Sequence, residues 1–395
     1  MLPNAVVAGH LCFDIIPSFS SLEPMELNEL FKPGKLINMN GASVSTGGPV
    51  SNTGLALSKL GIETALMGKV SDDFFGDCVK TLFAQNGISR GLITSPGEQT
   101  SYTVVIVPPG YDRIFLHNPG ANDSFCAADV DYQTVASAAL FHFGYPPLMK
   151  RMFAETGAEL IRMFKQVKEL GVTTSLDMSL PDEQSESGQV DWDTLLRGLL
   201  PYVDIYIPSA EETLYMLDRE KYHELNRISG GRDPMELFDV DWLPALGERL
   251  LAYGCGMAVI KCGCKGYYIR TSGRERLETM KKAPPGELSS WAGRELMEES
   301  FFASEIASAA GAGDNSIAGF ISAFLRGQSI EDCIRFGCAV GRLNLEVYDA
   351  VTGVRSYDET RALIPGWRKN ELAYTGSYWR KDSSPGNWIG KADSM

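Results

Sequence analysis

The sequence predicts an α/β protein: a mostly parallel sheet covered by helices on both faces, with a smaller β-sheet inserted as a lid. Three observations carry that expectation. Short apolar runs alternate with helix-length amphipathic stretches over most of the 395 residues, which is the pattern of βαβ units. Two stretches, 18–46 and 88–118, break the rhythm with short β-type segments such as "SYTVVIV" and "RIFLHN" between Pro and Gly turns. Glycine-rich turns stand where apolar runs give way to helical periodicity, as crevices beyond the carboxyl ends of parallel strands require.

The elements follow in order. "AVVAGHLCFD" is expected as one buried first strand closing on Asp14, then "PVSNTGLALSKLG" as a helix opened by Gly47-Gly48 and closed by Gly61. Further strands are "TALMGKV", "AALFHFG", "VTTSLDM", "VDIYIPS", "MAVIKCG" and "GYYIRT", with helices at "AELIRMFKQVKELG" and "DWLPALGERLLAYG". "SFFASEI" is expected as a strand leading into "SAAGAGDNSIAGF", after which Ile317, Phe320, Ile321, Phe324 and Leu325 recur at helical spacing. Segments 218–240 and 274–300 are charged, contain Pro or Gly, and are expected as surface insertions. Residues 1–365 then form the main domain. The stretch from 366 to 395 holds three tryptophans and no helical period, and is expected as an extension that wraps over the body or a neighbouring subunit.

Composition narrows the function. A formal charge of −14 argues against nucleic acid or an anionic membrane as the main partner. No apolar stretch approaches the roughly 20 residues of a membrane helix, and the first residues lack a basic region ahead of a small-residue cleavage site. Eight cysteines without a CxxC pair fit reduced thiols and a cytoplasmic location. The four histidines form no HExxH, so zinc has no support. The first strand lacks GxGxxG and the chain lacks GxxxxGK[ST], which disfavours a nicotinamide dehydrogenase and a P-loop kinase.

The stretch 311–314, Gly-Ala-Gly-Asp, lies at a helix entrance. Unpaired amides and the dipole there suit a phosphate, and the glycines let backbone approach a ligand closely. Asp314 beside such a site has a use as a base. Asn52, in the first turn after Gly47-Gly48, offers a donor and an acceptor to a polyol. Asp14 can accept two hydroxyls of a sugar. Lys261, Gly263 and Gly266 in "VIKCGCKGYYI" form a strand–turn–strand where Lys261 or Lys265 meets phosphate charge. Taken singly, each has an ordinary structural role: a helix cap, a turn or a solvated lysine.

Together and in this order they resemble the ribokinase-like (PfkB) family of carbohydrate and nucleoside kinases. "GGPVSNTGLALSKLGIETALMGKVSDDFFGD" is similar to the family's amino-terminal signature, "GAGDNSIAGF" to its carboxy-terminal one, "HNPGAND" to its G-A-N element and "VIKCGCKG" to its strand–turn. The resemblance covers roughly residues 4 to 355. It implies a ribokinase-like three-layer α/β/α sandwich with a lid that closes over substrate and mediates homodimers. It implies ATP and Mg²⁺ as cofactors and a small sugar-like acceptor. Asp314 becomes the base and the amides of Gly311, Ala312 and Gly313 the anion hole. Asp14, Gly47, Gly48 and Asn52 hold the acceptor, and Lys261, Gly263 and Gly266 lie along ATP.

The chain also departs from the family pattern. Ser308, Ala309 and Ala310 stand where many members carry D-T-T. "PSAEE" offers Ser209 for the asparagine of N-x-x-E, with Glu212 kept for the metal. "DMSLP" keeps Asp177 of D-x-N-x-R and loses the other two. These changes put magnesium organisation and acceptor identity in question, and leave as alternatives a nucleoside kinase and a non-catalytic sugar- or nucleotide-binding relative. Arg113 and Lys32 are candidates to meet an anionic acceptor.

Overall fold

The computed structural model describes residues 4–394 apart from 21, 22, 24, 25, 89, 90, 110, 112, 113, 231, 232, 348, 373–376 and 383–385. Its strands are β1 (Ala5–Gly9), β2 (Cys12–Phe19), β3 (Met39–Gly47), β4 (Thr64–Met67), β5 (Lys69–Val70), β6 (Ile93–Thr94), β7 (Tyr102–Ile106) and β8 (Ile114–Asn118). They continue as β9 (Leu140–Gly144), β10 (Thr173–Leu176), β11 (Ile205–Tyr206), β12 (Met257–Lys261), β13 (Tyr267–Thr271), β14 (Glu295–Glu298), β15 (Arg380–Lys381) and β16 (Trp388–Ile389). Ten form the central sheet in the order β15-β16-β14-β13-β12-β11-β10-β9-β1-β4. The run from β4 to β12 is parallel and the β13 end antiparallel. Each face carries its own apolar core, one under the helix Lys150–Glu169 and one under the helices Pro49–Lys59 and Ala312–Leu325. These are the two outer layers expected of a sheet whose strands read as nearly unbroken apolar runs.

The expected first strand is two. At Gly9 the backbone takes φ +126°, and a Cβ there would lie 2.3 Å from the Gly144 carbonyl oxygen, so only glycine fits. The chain leaves the central sheet at this point. Asn122 pins the turn by accepting from Leu11 N at 3.1 Å and donating to Leu11 O at 2.9 Å. Residues from Cys12 onward, Asp14 included, therefore belong to the lid and not to the end of β1.

The lid is a four-stranded sheet, β3-β2-β7-β8, so it begins at Cys12, earlier than the expected residue 18. It rests on the body through Phe75 of the helix Phe74–Gln85, whose ring lies 5.2 Å from both Phe13 and Tyr102.

Two other expectations need correction, and for a third, the 366–395 stretch, the structure selects one of the two alternatives. "SFFASEI" forms no strand; only Phe301 makes an isolated bridge, to Lys369, and the stretch is otherwise irregular. Residues 274–300 are not simply a surface insertion, because β14 inside them is fully buried in the sheet. The 366–395 stretch adds β16 to β14 and β15 to β16, so it wraps its own body. Glu295, Glu298 and Glu299, all buried, take hydrogen bonds or charge from Tyr378, Asn387, Lys369, Trp388 and Lys381 of that stretch. Charged residues near β14 thus read as surface in sequence because their partners lie some 80 positions away. Among the described residues no helix is long and apolar enough to cross a membrane.

Candidate active site

A cleft of about 1270 Å³ opens between the lid and the carboxyl ends of the parallel strands. The lid's two faces differ sharply. Cross-strand pairing sets Ser45, Asp14, Thr103 and His117 in one row, and all four line the cleft. The next row, Val44, Ile15, Val104 and Leu116, lies on the opposite face.

Asp314 forms the cleft floor at 3% exposure, in the first turn of the helix Ala312–Leu325. It accepts from Asn52 Nδ2 at 2.8 Å and from the Tyr145 hydroxyl at 3.0 Å to each oxygen. Burial raises its pKa; the Asn52 bond, the Lys261 charge and the Tyr145 bond pull it back. A carboxylate offers about four acceptor positions, so room remains for a hydroxyl proton.

Gly311 caps the helix at φ +69°, where a Cβ would press on Ala350 at 2.7 Å. Ala312 N turns to Ala309 O at 3.3 Å. The amides of Gly313 and Asp314 find no backbone acceptor among the described residues.

Opposite, Gly48 caps the helix Pro49–Lys59 at φ +84°. A Cβ at Gly47 would lie 2.3 Å from Asp14 Oδ2, and one at Gly48 would lie 2.7 Å from His10 Nδ1. The glycine pair exists so that these two side chains can lie flat against backbone. Burial pushes the Asp14 carboxyl up to about 6, against hydrogen bonds from Cys12 and Thr103.

Of the sequence-predicted residues the structure brings Asp14, Gly47, Gly48, Asn52, Gly311 and Asp314 into one cleft. Ala312, Gly313, Lys261, Gly263, Gly266 and Glu212 do not line it. Lys261 does not point freely at a ligand; its ammonium is 2.5 Å from Asp177 Oδ1 and 2.6 Å from Ile207 O. It lies close under the anion site, its Cε 3.8 Å from where a Cβ on Gly313 would be. Gly266, at φ +105°, packs on the Glu298 carbonyl, while Gly263 faces open space in the β12–β13 turn. Glu212 is held in a capping box, accepting from Ser209 N at 2.6 Å while its own amide donates to Ser209 Oγ at 3.1 Å. Burial raises the pKa of Asp177 and of Glu212; Lys261 opposes that and neighbouring carboxylates reinforce it. Among the described residues no group of three His, Cys, Asp or Glu side chains is placed to hold a metal alone. Arg113 lies outside the described residues, and Lys32 is exposed and paired with Glu29 away from the cleft.

Sequence reasoning missed Tyr145, His10 and His117. Tyr145 follows β9 in the left-handed region at φ +64°, a strained position for a non-glycine residue forced between Gly144 and two prolines. Its signal was a tyrosine directly after a parallel strand's carboxyl end. The histidines are 107 positions apart and meet at 3.4 Å between their Nε2 atoms, body to lid; no local pattern announces such a pair.

A buried carboxylate at a helix entrance, roofed by a small β-lid over a parallel sheet, is the arrangement of a phosphotransferase for small hydroxyl compounds. The pfkB family carbohydrate kinase model matches residues 4–356, and the chain belongs to that family and is a carbohydrate kinase. It is 25% identical over 305 residues to an uncharacterized sugar kinase of Archaeoglobus fulgidus, 77% of this chain and all of that one. It is 21% identical to fructokinase-2 of Solanum lycopersicum over 91% of this chain and 95% of that one. The fold matches Arabidopsis thaliana ribokinase complexed with ribose and ATP at a TM-score of 0.67 and 20% identity, covering 92% and 99% of the two chains.

Proposed function

We propose that this chain transfers the γ-phosphoryl group of ATP to a hydroxyl of a small sugar or sugar-like acceptor, with Asp314 as the base. The observation that carries the reading is Asp314 itself: a buried carboxylate beside amides lacking a backbone partner, in the floor of a lidded cleft. Asp14 and Asn52, seated over Gly47-Gly48, hold the acceptor's hydroxyls. Asp314 takes the proton from the attacking hydroxyl, and the amides of Gly311, Gly313 and Asp314, not that of Ala312, which is turned to Ala309 O, receive charge that develops on the transferred group. The lid row excludes water, the competing acceptor.

The ATP side fits as a cradle. Gly263 leaves the β12–β13 turn open to a nucleotide while Gly266 lets that turn lie against the Glu298 backbone, and Lys261 supplies a positive charge under the anion site. A divalent ion bound with ATP neutralises phosphate charge. Asp177 and Glu212, whose shared negative charge is only partly countered by Lys261, are the side chains that attract it. The apolar row Val44–Ile15–Val104–Leu116, with Val44 and Leu116 more than half exposed, is where a second copy would pair; Leu116→Asp would then shift the sedimentation of a dimer to that of a monomer. The eight cysteines are all unpaired thiols, which suits a reducing, cytoplasmic setting.

The test is ADP formation from MgATP against sugars, sugar acids, polyols and nucleosides, with the phosphorylated product identified by mass. Acceptor-dependent ADP well above ATP hydrolysis supports the reading. No acceptor-dependent ADP across the panel overturns it.

A further inference from the structure

The β12–β13 turn is braced by residues outside the stretch that the family model matches. That match ends at residue 356, yet residues 368–370 pair antiparallel with 300–302. Phe302 N donates to Arg368 O and Asn370 N donates to Ser300 O, each at 2.8 Å, around a bridge of Phe301 to Lys369. Charge and apolar contacts pin this pairing. The Lys369 ammonium is 2.5 Å from Oε1 of buried Glu298, and Leu372 N donates to Glu299 Oε1 at 3.2 Å. Trp367 packs on buried Phe301 with ring centroids 5.5 Å apart, and the Arg342 guanidinium lies 4.2 Å from the Trp367 ring centre.

One side chain of this stretch reaches the turn itself. Asn370 Nδ2 lies 2.8 Å from Ser300 Oγ and 3.3 Å from Cys264 O, and the Ser300 hydroxyl donates to that same carbonyl. Cys264 O can only accept, so the amino end of Asn370 faces it, and the three groups close a ring in which every donor is used. The turn has few other holds. Gly263 and Cys264 are exposed, and a Cβ on Gly263 would meet nothing within 4 Å. Lys265 Nζ reaches Glu236 O at 3.2 Å, and Gly266 rests on the Glu298 carbonyl. The same brace extends toward the anion turn. Arg342 Nε donates to Phe302 O at 3.0 Å. Just past the helix Ile330–Asn344 that carries Arg342, Leu345 O accepts from Ala307 N at 2.8 Å, four residues ahead of Gly311.

We propose that Asn370 is a positioning residue for the nucleotide: through Cys264 O it sets the β12–β13 turn along which ATP lies, and the 367–372 stretch keeps that turn in register with the anion turn at 311–314. This rests on the phosphotransfer reading above and extends its ATP side to the carboxy-terminal stretch. Without the ring, the turn is held by Lys265 and Gly266 and samples other positions. ATP must then reorder it out of its own binding energy, so KM for ATP rises while kcat at saturating ATP is unchanged. Asp14 and Asn52 stand on the helix Pro49–Lys59 and the lid, away from the ring, so acceptor binding does not depend on it.

Asn370→Ala removes the brace, and Asn370→Asp sets a carboxylate against the Cys264 carbonyl. Coupled ADP assays with ATP and acceptor varied in turn should show KM for ATP raised about tenfold in the first variant and more in the second. Acceptor KM and kcat should stay within about twofold of wild type. Ser300→Ala, which removes the other donor to Cys264 O, should act in the same direction. The control is Tyr378→Phe, which takes a bond from buried Glu295 elsewhere in the same stretch: its melting temperature should fall with KM for ATP unmoved. The proposal is overturned, with phosphotransfer left standing, if KM for ATP is unmoved in the Asn370 and Ser300 variants. A rise matched by acceptor KM or by Tyr378→Phe overturns it equally, because it marks a general loosening. Titration calorimetry with a non-hydrolysable ATP analogue separates the two readings where no acceptor is turned over. Binding by wild type about tenfold tighter than by Asn370→Ala supports the role of Asn370 although phosphotransfer fails, and equal binding or none overturns it.

Discussion

Replacing Lys261 by methionine tests how the buried charges under the site are balanced. Lys261 and Asp177 side chains are 11% and 2% exposed and lie 2.5 Å apart, so this is a buried pair and not a screened surface contact. Methionine keeps the length of the stem and removes both the ion pair and the bond to Ile207 O. Asp177 is then left in the company of Glu212 and Asp314 with no opposing charge. Breaking a buried pair on one side costs about 3–5 kcal/mol, and for 395 residues that lowers the melting temperature by roughly 4–6 °C. The loss also has a pH signature. Burial already holds Asp177 above its ordinary carboxylate value, and removing Lys261 raises it further. A carboxyl with a raised folded pKa destabilises only while it is ionised, so the penalty is full at pH 8 and shrinks as pH falls toward 5. Calorimetric melting of wild type and variant at both pH values reads this directly. The double variant Lys261→Met with Asp177→Asn should recover most of the loss. A single variant within 1 °C of wild type, or a penalty that grows on acidification, would refute the reasoning.

Tyr145→Phe removes one donor from Asp314 and so raises that carboxyl further. The acid limb of kcat should move up by about one pH unit, read from a pH–rate profile. Asn122→Ala strips both partners from the Leu11 peptide at the body–lid turn. It should cost about 3 kcal/mol in denaturant melts and expose the lid strands to proteolysis first. Truncation after residue 365 leaves Glu295 and Glu299 buried without their tail partners. It should cost at least about 5 kcal/mol, seen as loss of soluble protein or of its melting transition.

The parallel half of the fold was legible because each strand is an apolar run and each helix shows its period locally. The Gly47-Gly48 and Gly311–Asp314 turns were legible for the same reason: a local conformational demand leaves a local residue choice. What stayed hidden depends on distant partners. Asp14 looked like the end of β1 because the run "AVVAGHLCFD" is unbroken in hydropathy; only the Gly9–Gly144 contact turns it into the lid. β14 looked like surface because its two glutamates and the adjoining Glu299 find their partners far along the chain, Glu295 at Tyr378, Glu298 at Lys369 and Arg335, and Glu299 at Lys381. Lys261 was placed on phosphate for want of knowing that Asp177 stands beside it. Tyr145 and the His10–His117 pair assemble only when strands over a hundred positions apart become neighbours.

The central claim is that Asp314 is the base of a phosphoryl transfer, and Asp314→Asn on the best acceptor tests it most directly. The amide keeps the size of the side chain and a partner for Tyr145 while losing the ability to take a proton. The account predicts kcat lower by about 10²–10⁴-fold, with calorimetric affinities for ATP and acceptor unchanged. A kcat within tenfold of wild type would contradict it and assign the proton to another group.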